Sequence, residues 1–245
     1  MIAQGGKSIY GAAVGILMLD AKFPRIPGDM GNAASWPFPV LYRIVRNATP
    51  DLVVRRGAEG MLPAFIEAAQ QLVADGADGI TTNCGFLAMF QDELTQALPV
   101  PVLSSSLCQI DMVNRMLPPG RRAGILTISA SSLSPRHLKG ARVPEGTPIG
   151  TTEGLTEFTR AILDNESQLD VEKARADNVN AALALHQAHP DLGAIVLECT
   201  NMGPYAADIS VATGLPCFSM LSLVGWLQSG LTPRRFSLPG SNSQA

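Results

Sequence analysis

Short runs of apolar residues recur along the chain, each followed by a stretch whose apolar positions fall three and four apart. This alternation predicts repeated strand–helix–strand order and a doubly wound α/β fold with parallel sheets. Val14–Leu19 is apolar throughout, as expected of a strand buried on both faces. Met61–Ala74 has helical spacing and stops before Gly76; Gly79–Thr82 is a short strand, Phe86–Ala97 a helix and Val100–Leu103 a strand. After "LPPGRR" the pattern restarts with a strand at Ala123–Ile128, then a helix at Ala174–Ala188. A strand at Ala194–Leu197, a short helix at Ala206–Thr213 and a strand at Leu215–Met220 complete it.

The second half repeats the first. Cys84 and Cys199 each close a strand and open a polar turn, in "TTNCGFL" and "ECTNMGP". Each is followed 17 residues later by a proline, Pro101 and Pro216. Matched elements at one offset indicate duplication. The turn Pro118–Gly120 is the boundary. It predicts a first domain of residues 1–117 with 218–245, carrying Cys84, and a second of 118–217, carrying Cys199. The Ser/Asn/Gly-rich Ser237–Ala245 reads as a loose tail.

Composition narrows the function. Hydrophobic residues make up 46% and aromatics 5%, an aliphatic core. The net charge of −3 and the absence of a basic block argue against nucleic acid. Ala12–Leu19 is too short to span a membrane and is not arranged as a signal peptide, so a cytoplasmic location is expected, with all four cysteines as thiols. No Gly-rich nucleotide loop, nucleophile elbow or zinc spacing is present.

Cys84 and Cys199 are the candidate catalytic residues. At the carboxyl end of a strand a helix N-terminus faces the ligand, and its free N–H groups favour thiolate, which predicts lowered thiol pKa values. Two such thiols facing across one cleft are able to exchange protons with opposite sides of a carbon acid. Cys108 and Cys217 lack this context and read as core. Asn83, Gly85, Phe86, Thr200 and Asn201 flank the pair as substrate-binding candidates. The loop Leu19–Asn32 overhangs the same cleft and adds Arg25 for a carboxylate and Asp20 for an amine. His137 reads either as a proton relay or as a loop histidine without a role. His186 and His189 have metal spacing but no third ligand, and the serines at 104–106 and 129–134 read as helix caps.

Together "TTNCGFLAMF" and "LECTNMGPYA" resemble the aspartate/glutamate/hydantoin racemase superfamily. The resemblance implies two pseudo-symmetric Rossmann-like domains with the active site in the cleft between them. It also implies racemisation without pyridoxal phosphate, metal or other cofactor, and a homodimer. Cys84 and Cys199 match the acid–base cysteines, and Asn83, Gly85, Thr200 and Asn201 match the carboxylate-holding positions. The expected function is a racemase or epimerase acting on a small carboxylate of amino-acid or hydantoin type. Gly85-Phe86 and Thr200-Asn201 depart from the polar pairs of glutamate racemases. The first loop resembles that of an algal dimethylsulfoniopropionate lyase group, which leaves β-elimination as the alternative. A non-catalytic metabolite-binding protein is the third.

Overall fold

The computed structural model describes residues 2–236; the predicted tail Ser237–Ala245 lies outside the described residues. Two four-stranded sheets form, and every pairing in them is parallel. The first has the order β2-β1-β3-β4, from Val40–Val45, Val14–Leu19, Gly79–Thr82 and Val102–Leu103. The second has the order β6-β5-β7-β8, from Ile149–Thr151, Arg122–Thr127, Leu192–Leu197 and Cys217–Phe218. The two orders are identical when each strand is advanced by four, which is the duplication expressed as topology.

The inner strands β1, β3, β5 and β7 are almost wholly buried; β1 and β7 are continuous apolar runs, while β3 buries Thr81 and Thr82 with their hydroxyls donating to the Leu103 and Ser104 carbonyls. The edge strand β2, VLYRIV, keeps an Arg and a Tyr on a partly exposed surface. This mixed pattern hid it from sequence reading, and the three-residue β6 is too short to show a period. The predicted Phe86–Ala97 helix is two elements: a 3-10 helix, Gly85–Phe90, leads into α2, Gln91–Ala97. The same pair recurs after β7, with a 3-10 helix at Thr200–Tyr205 and α7 at Ala206–Thr213.

Large helices cover the sheets. Helix α1, Leu62–Asp75, lies on β1, β2 and β3, and α6, Val171–Ala188, lies on β5 and β6. Two others are exchanged. Helix α3, Ile110–Met116, follows β4 but packs on β5; its Asn114 accepts the Ala123 N–H at 2.7 Å. Helix α8, Met220–Leu231, follows β8 but packs on the first sheet, where Met220, Leu223 and Val224 meet Val14, Ile16 and Met18. The domain line drawn at residue 117 therefore needs correction: residues 110–116 cover the second sheet.

Candidate active site

Both cysteines stand where an inner strand ends and a 3-10 helix begins, so duplication puts them at equivalent points of the two halves. They line one cavity with Asn83, Gly85, Phe86, Glu198, Thr200 and Asn201. Its walls are otherwise apolar, including Leu19, Phe23, Val54, Ile128 and Ile162. The free space is about 20 Å³, room for about one water molecule. Residues of both halves close on each other here: the Thr200 hydroxyl donates to the Asn83 carbonyl.

The expected lowering of the thiol pKa values is overturned. Burial pushes Cys84 up to about 12, and the Glu198 carboxyl adds to the rise; the backbone N–H groups of Phe86 and Leu87 pull the other way but lose. Cys199 is pushed well up as well, first by burial and then by Glu198, with the Asn201 backbone N–H opposing. A few N–H groups at the start of a short 3-10 helix do not replace the water that a thiolate loses on full burial.

The cysteine at position 199 has a fixed polar neighbour. Its thiol donates to Asn201 Oδ1 at 3.6 Å, while Asn201 Nδ2–H donates to Asp29 Oδ2. Asp29 accepts only, so it sets which way the Asn201 amide points. Asp29 in turn accepts from Arg25 at 2.8 Å and from the Gly31 N–H at 2.7 Å. Thus the loop after β1 is tied to the second half. Gly28, at φ +96°, touches Pro204 so closely that a methyl group there would stand 2.8 Å from the proline Cα.

The two charged loop candidates do not reach the cavity. Asp20 turns away, accepting the Asn47 N–H at 3.2 Å and pairing with Arg46. Arg25 stands one layer back, its guanidinium over the Phe23 ring at 4.6 Å and one of its nitrogens, Nη2, buried without a partner. His137 does not line the cavity, and it lies on a helix rather than in a loop. It is buried on α4, Pro135–Gly140, with its ring edge on Phe86 at 5.1 Å, and desolvation lowers its pKa to about 4. There it props the turn that carries Cys84. Ser105 and Ser134 cap helices; Ser129 and Ser131 bond Glu153. Cys108 and Cys217 are half-buried and pack against the core. Among the described residues no cluster of three or more His, Cys, Asp or Glu gathers to hold a metal, and no helix is long and apolar enough to cross a membrane.

The residue missed from sequence is Glu198. It is fully buried between β7 and Cys199, and its carboxyl lines the cavity. Desolvation raises its pKa to about 8, against the bond it accepts from Thr127 at 2.7 Å. The signal was present: "AIVLEC" ends an apolar strand with one charge directly before the cysteine.

Comparison with known proteins shows the family and the fold. A model of the Asp/Glu/Hydantoin racemase family matches residues 46–224. The dimethylsulfoniopropionate lyase of Durusdinium sp. clade D is 29% identical over 221 residues, covering 87% of this chain and 73% of that protein. Dimethylsulfoniopropionate lyase 7 of Emiliania huxleyi is 30% identical over 225 residues, covering 86% of this chain but 64% of that protein. Among solved structures, a mutant of arylmalonate decarboxylase in its sulfate-associated form superimposes with a TM-score of 0.61 at 17% identity, covering 93% of this chain and 96% of the other. Picrophilus torridus aspartate racemase gives 0.57 at 13% identity, with 93% and 96% covered. Those two likenesses show the two-sheet fold. The family match takes in most of the chain, including both cysteine turns, and this protein belongs to the Asp/Glu/hydantoin racemase family of enzymes.

Proposed function

We propose that this enzyme removes the proton from a carbon next to a carboxylate or carbonyl group, without a cofactor, using Cys84 and Cys199 as its acid–base pair, and returns a proton to the opposite face. The reading is a racemase or epimerase. The observation that carries it is that the two thiols, from equivalent strand ends, line one closed cavity. A thiolate on one side takes the proton, the electron pair passes to the carboxylate or carbonyl oxygen, and the opposing thiol donates. At neutral pH a thiol at about 12 costs roughly 7 kcal/mol to ionise. Ionisation therefore needs water or a polar group of the substrate to reach the buried thiol. The apolar walls, and Asp20 turned outward, favour an amine-free acid or a hydantoin-type ring over a free amino acid.

A second reading is β-elimination. It draws on the dimethylsulfoniopropionate lyases among the relatives and on Phe23 and Phe86 in the cavity wall. Aromatic faces attract a sulfonium cation, and elimination needs only one base. One experiment tests both. The enzyme is incubated in deuterated water with hydantoins, amino acids, arylmalonates and dimethylsulfoniopropionate, and proton NMR is followed. Deuterium entry at the acidic carbon with loss of optical purity supports inversion. Acrylate release supports elimination. Neither outcome with any compound sinks the acid–base reading.

A further inference from the structure

Two polar atoms of cavity-lining residues are buried without a hydrogen-bond partner, Asn83 Nδ2 and Glu198 Oε1. They occupy equivalent positions, each directly before its half's cysteine. Asn83 is fixed in orientation, since its Oδ1 accepts the Leu19 N–H at 2.8 Å, so its unpartnered group is a donor. Glu198 is fixed as well. Thr127 Oγ1–H donates to Glu198 Oε2 at 2.7 Å, which leaves Oε1 as the oxygen without a partner. A proton on this carboxyl then belongs on Oε1, the free oxygen. Gly85 makes the room: a methyl group at that position would stand 2.2 Å from Oε1.

We propose that Glu198 is a substrate-carboxylate-binding residue of this site: a neutral carboxylic acid whose Oε1–H acts together with the Asn83 Nδ2–H. This rests on the acid–base reading above. Each half supplies one donor, and the pair grips the two oxygens of a small carboxylate between the thiols. When the neighbouring C–H bond breaks, its proton goes to a thiolate and its electron pair to the carboxylate oxygens. Both hydrogen bonds then strengthen, because the charge on those oxygens rises. No proton leaves Glu198. If Glu198 were ionised it would repel the substrate and also disfavour the thiolate on either side of it.

The ionisable groups around Glu198 are Cys84 on the facing turn and Cys199 beside it; the Arg25–Asp29 pair stands one layer out, beyond Asn201. Both thiols ionise well above the usual range, which leaves Glu198 as the group of the cavity that changes charge near pH 8. It is protonated below that pH and ionised above it.

The test uses propionate as the probe and needs no turnover. Alkylation of the thiols by iodoacetamide is measured with and without propionate from pH 6.5 to 9.5, and the ratio of rates removes the intrinsic pH dependence of the thiols. In the wild type, protection is expected below about pH 8, with the propionate affinity falling above it by a factor that approaches tenfold per pH unit. In Glu198→Gln, which keeps a donor of the same shape, protection is expected to stay level across that range. A wild-type ratio that does not change with pH, or a Glu198→Gln profile that falls like the wild type, overturns the proposal. The wild-type profile decides even if the variant does not fold. Deuterium exchange with an unmoved pH profile in Glu198→Gln defeats this inference alone; a Glu198-dependent profile with no exchange on any substrate defeats the acid–base reading alone.

Discussion

At the scale of single residues, the two cysteines are equivalent in position but not in surroundings. Cys84 faces the N–H groups of Phe86 and Leu87, whereas Cys199 gives its S–H to an amide oxygen held in place by Asp29. Serine in place of either keeps the shape but supplies a far weaker base. Cys84→Ser and Cys199→Ser are each expected to lose inversion by a factor of a thousand or more, on the order of 4 kcal/mol. Each retains proton removal from one enantiomer, and the two variants retain opposite ones. Chiral chromatography of a substrate with a β-leaving group reads this out. Full racemisation by either variant rules out two-base transfer, and a shared enantiomer rules out thiols on opposite faces. Cys108→Ser and Cys217→Ser leave the rate unchanged, since neither lines the cavity. The cysteines were legible because a small polar turn after an apolar run marks a strand end, and strand ends are where open α/β sheets bind ligands. Their pKa direction was not. It depends on burial and on Glu198, and burial at the join of two halves is a property of the assembled molecule.

At the scale of elements, the loop Leu19–Asn32 is a strap tied to the second half through Asp29 and Asn201, with Asp20 and Arg25 outside the cavity lining. Its sequence, with Asp20, Lys22, Arg25 and Asp29 among prolines and glycines, showed that it overhangs the cleft. It did not show that Asp29 rather than Asp20 turns inward. That choice follows from Asn47 offering its N–H to Asp20 on one side, and from Asn201 and Gly31 offering donors to Asp29 on the other. Only Gly28 allows the strap to lie against Pro204. Asp29→Asn removes the fixed acceptor, so the Asn201 amide is free to turn its Nδ2–H toward Cys199. A hydrogen bond to a charged acceptor is worth about 1.5–3 kcal/mol. In a Cys84→Ser background, iodoacetamide alkylation of Cys199 at fixed pH is therefore expected to rise by about tenfold in Asp29→Asn. An unchanged or slower rate means that the Asp29–Asn201 link does not hold this thiol protonated. The 3-10 helices on which the site is built escaped sequence reading for a related reason. Gly85–Phe90 is all apolar or glycine and is fully buried, so it carries no amphipathic period to distinguish it from the helix that follows.

At the scale of the whole molecule, duplication and exchange account for one another. Two copies of a parallel sheet were visible in the sequence, because β1 and β7 are unbroken apolar runs and the cysteine-to-proline spacing repeats, but the edge strands β2 and β6 were not. The exchange of α3 and α8 was only half visible, since a helix's partner sheet is set by packing and leaves no mark in its own periodicity. Each sheet has one face covered by a helix that the other half supplies. Met220, Leu223, Val224 and Leu227 of α8 are buried, and hydrophobic side chains of this kind contribute roughly 1.5–3 kcal/mol each on full burial. Their sum is comparable with the 5–15 kcal/mol that holds a typical domain folded. Neither half is therefore expected to be stable alone. Expressed separately, fragments 1–117 and 118–245 should each lack a cooperative thermal transition, because α8 is missing from the first and α3 from the second. Mixed, they should recover a single cooperative transition followed by circular dichroism, together with the slow alkylation of Cys84 and Cys199 that burial imposes. A truncation after Met220 in the intact chain should expose the first sheet and lower the melting temperature without removing either cysteine turn. A cooperative transition in either fragment by itself contradicts the exchange as the source of stability and restores the division at residue 117.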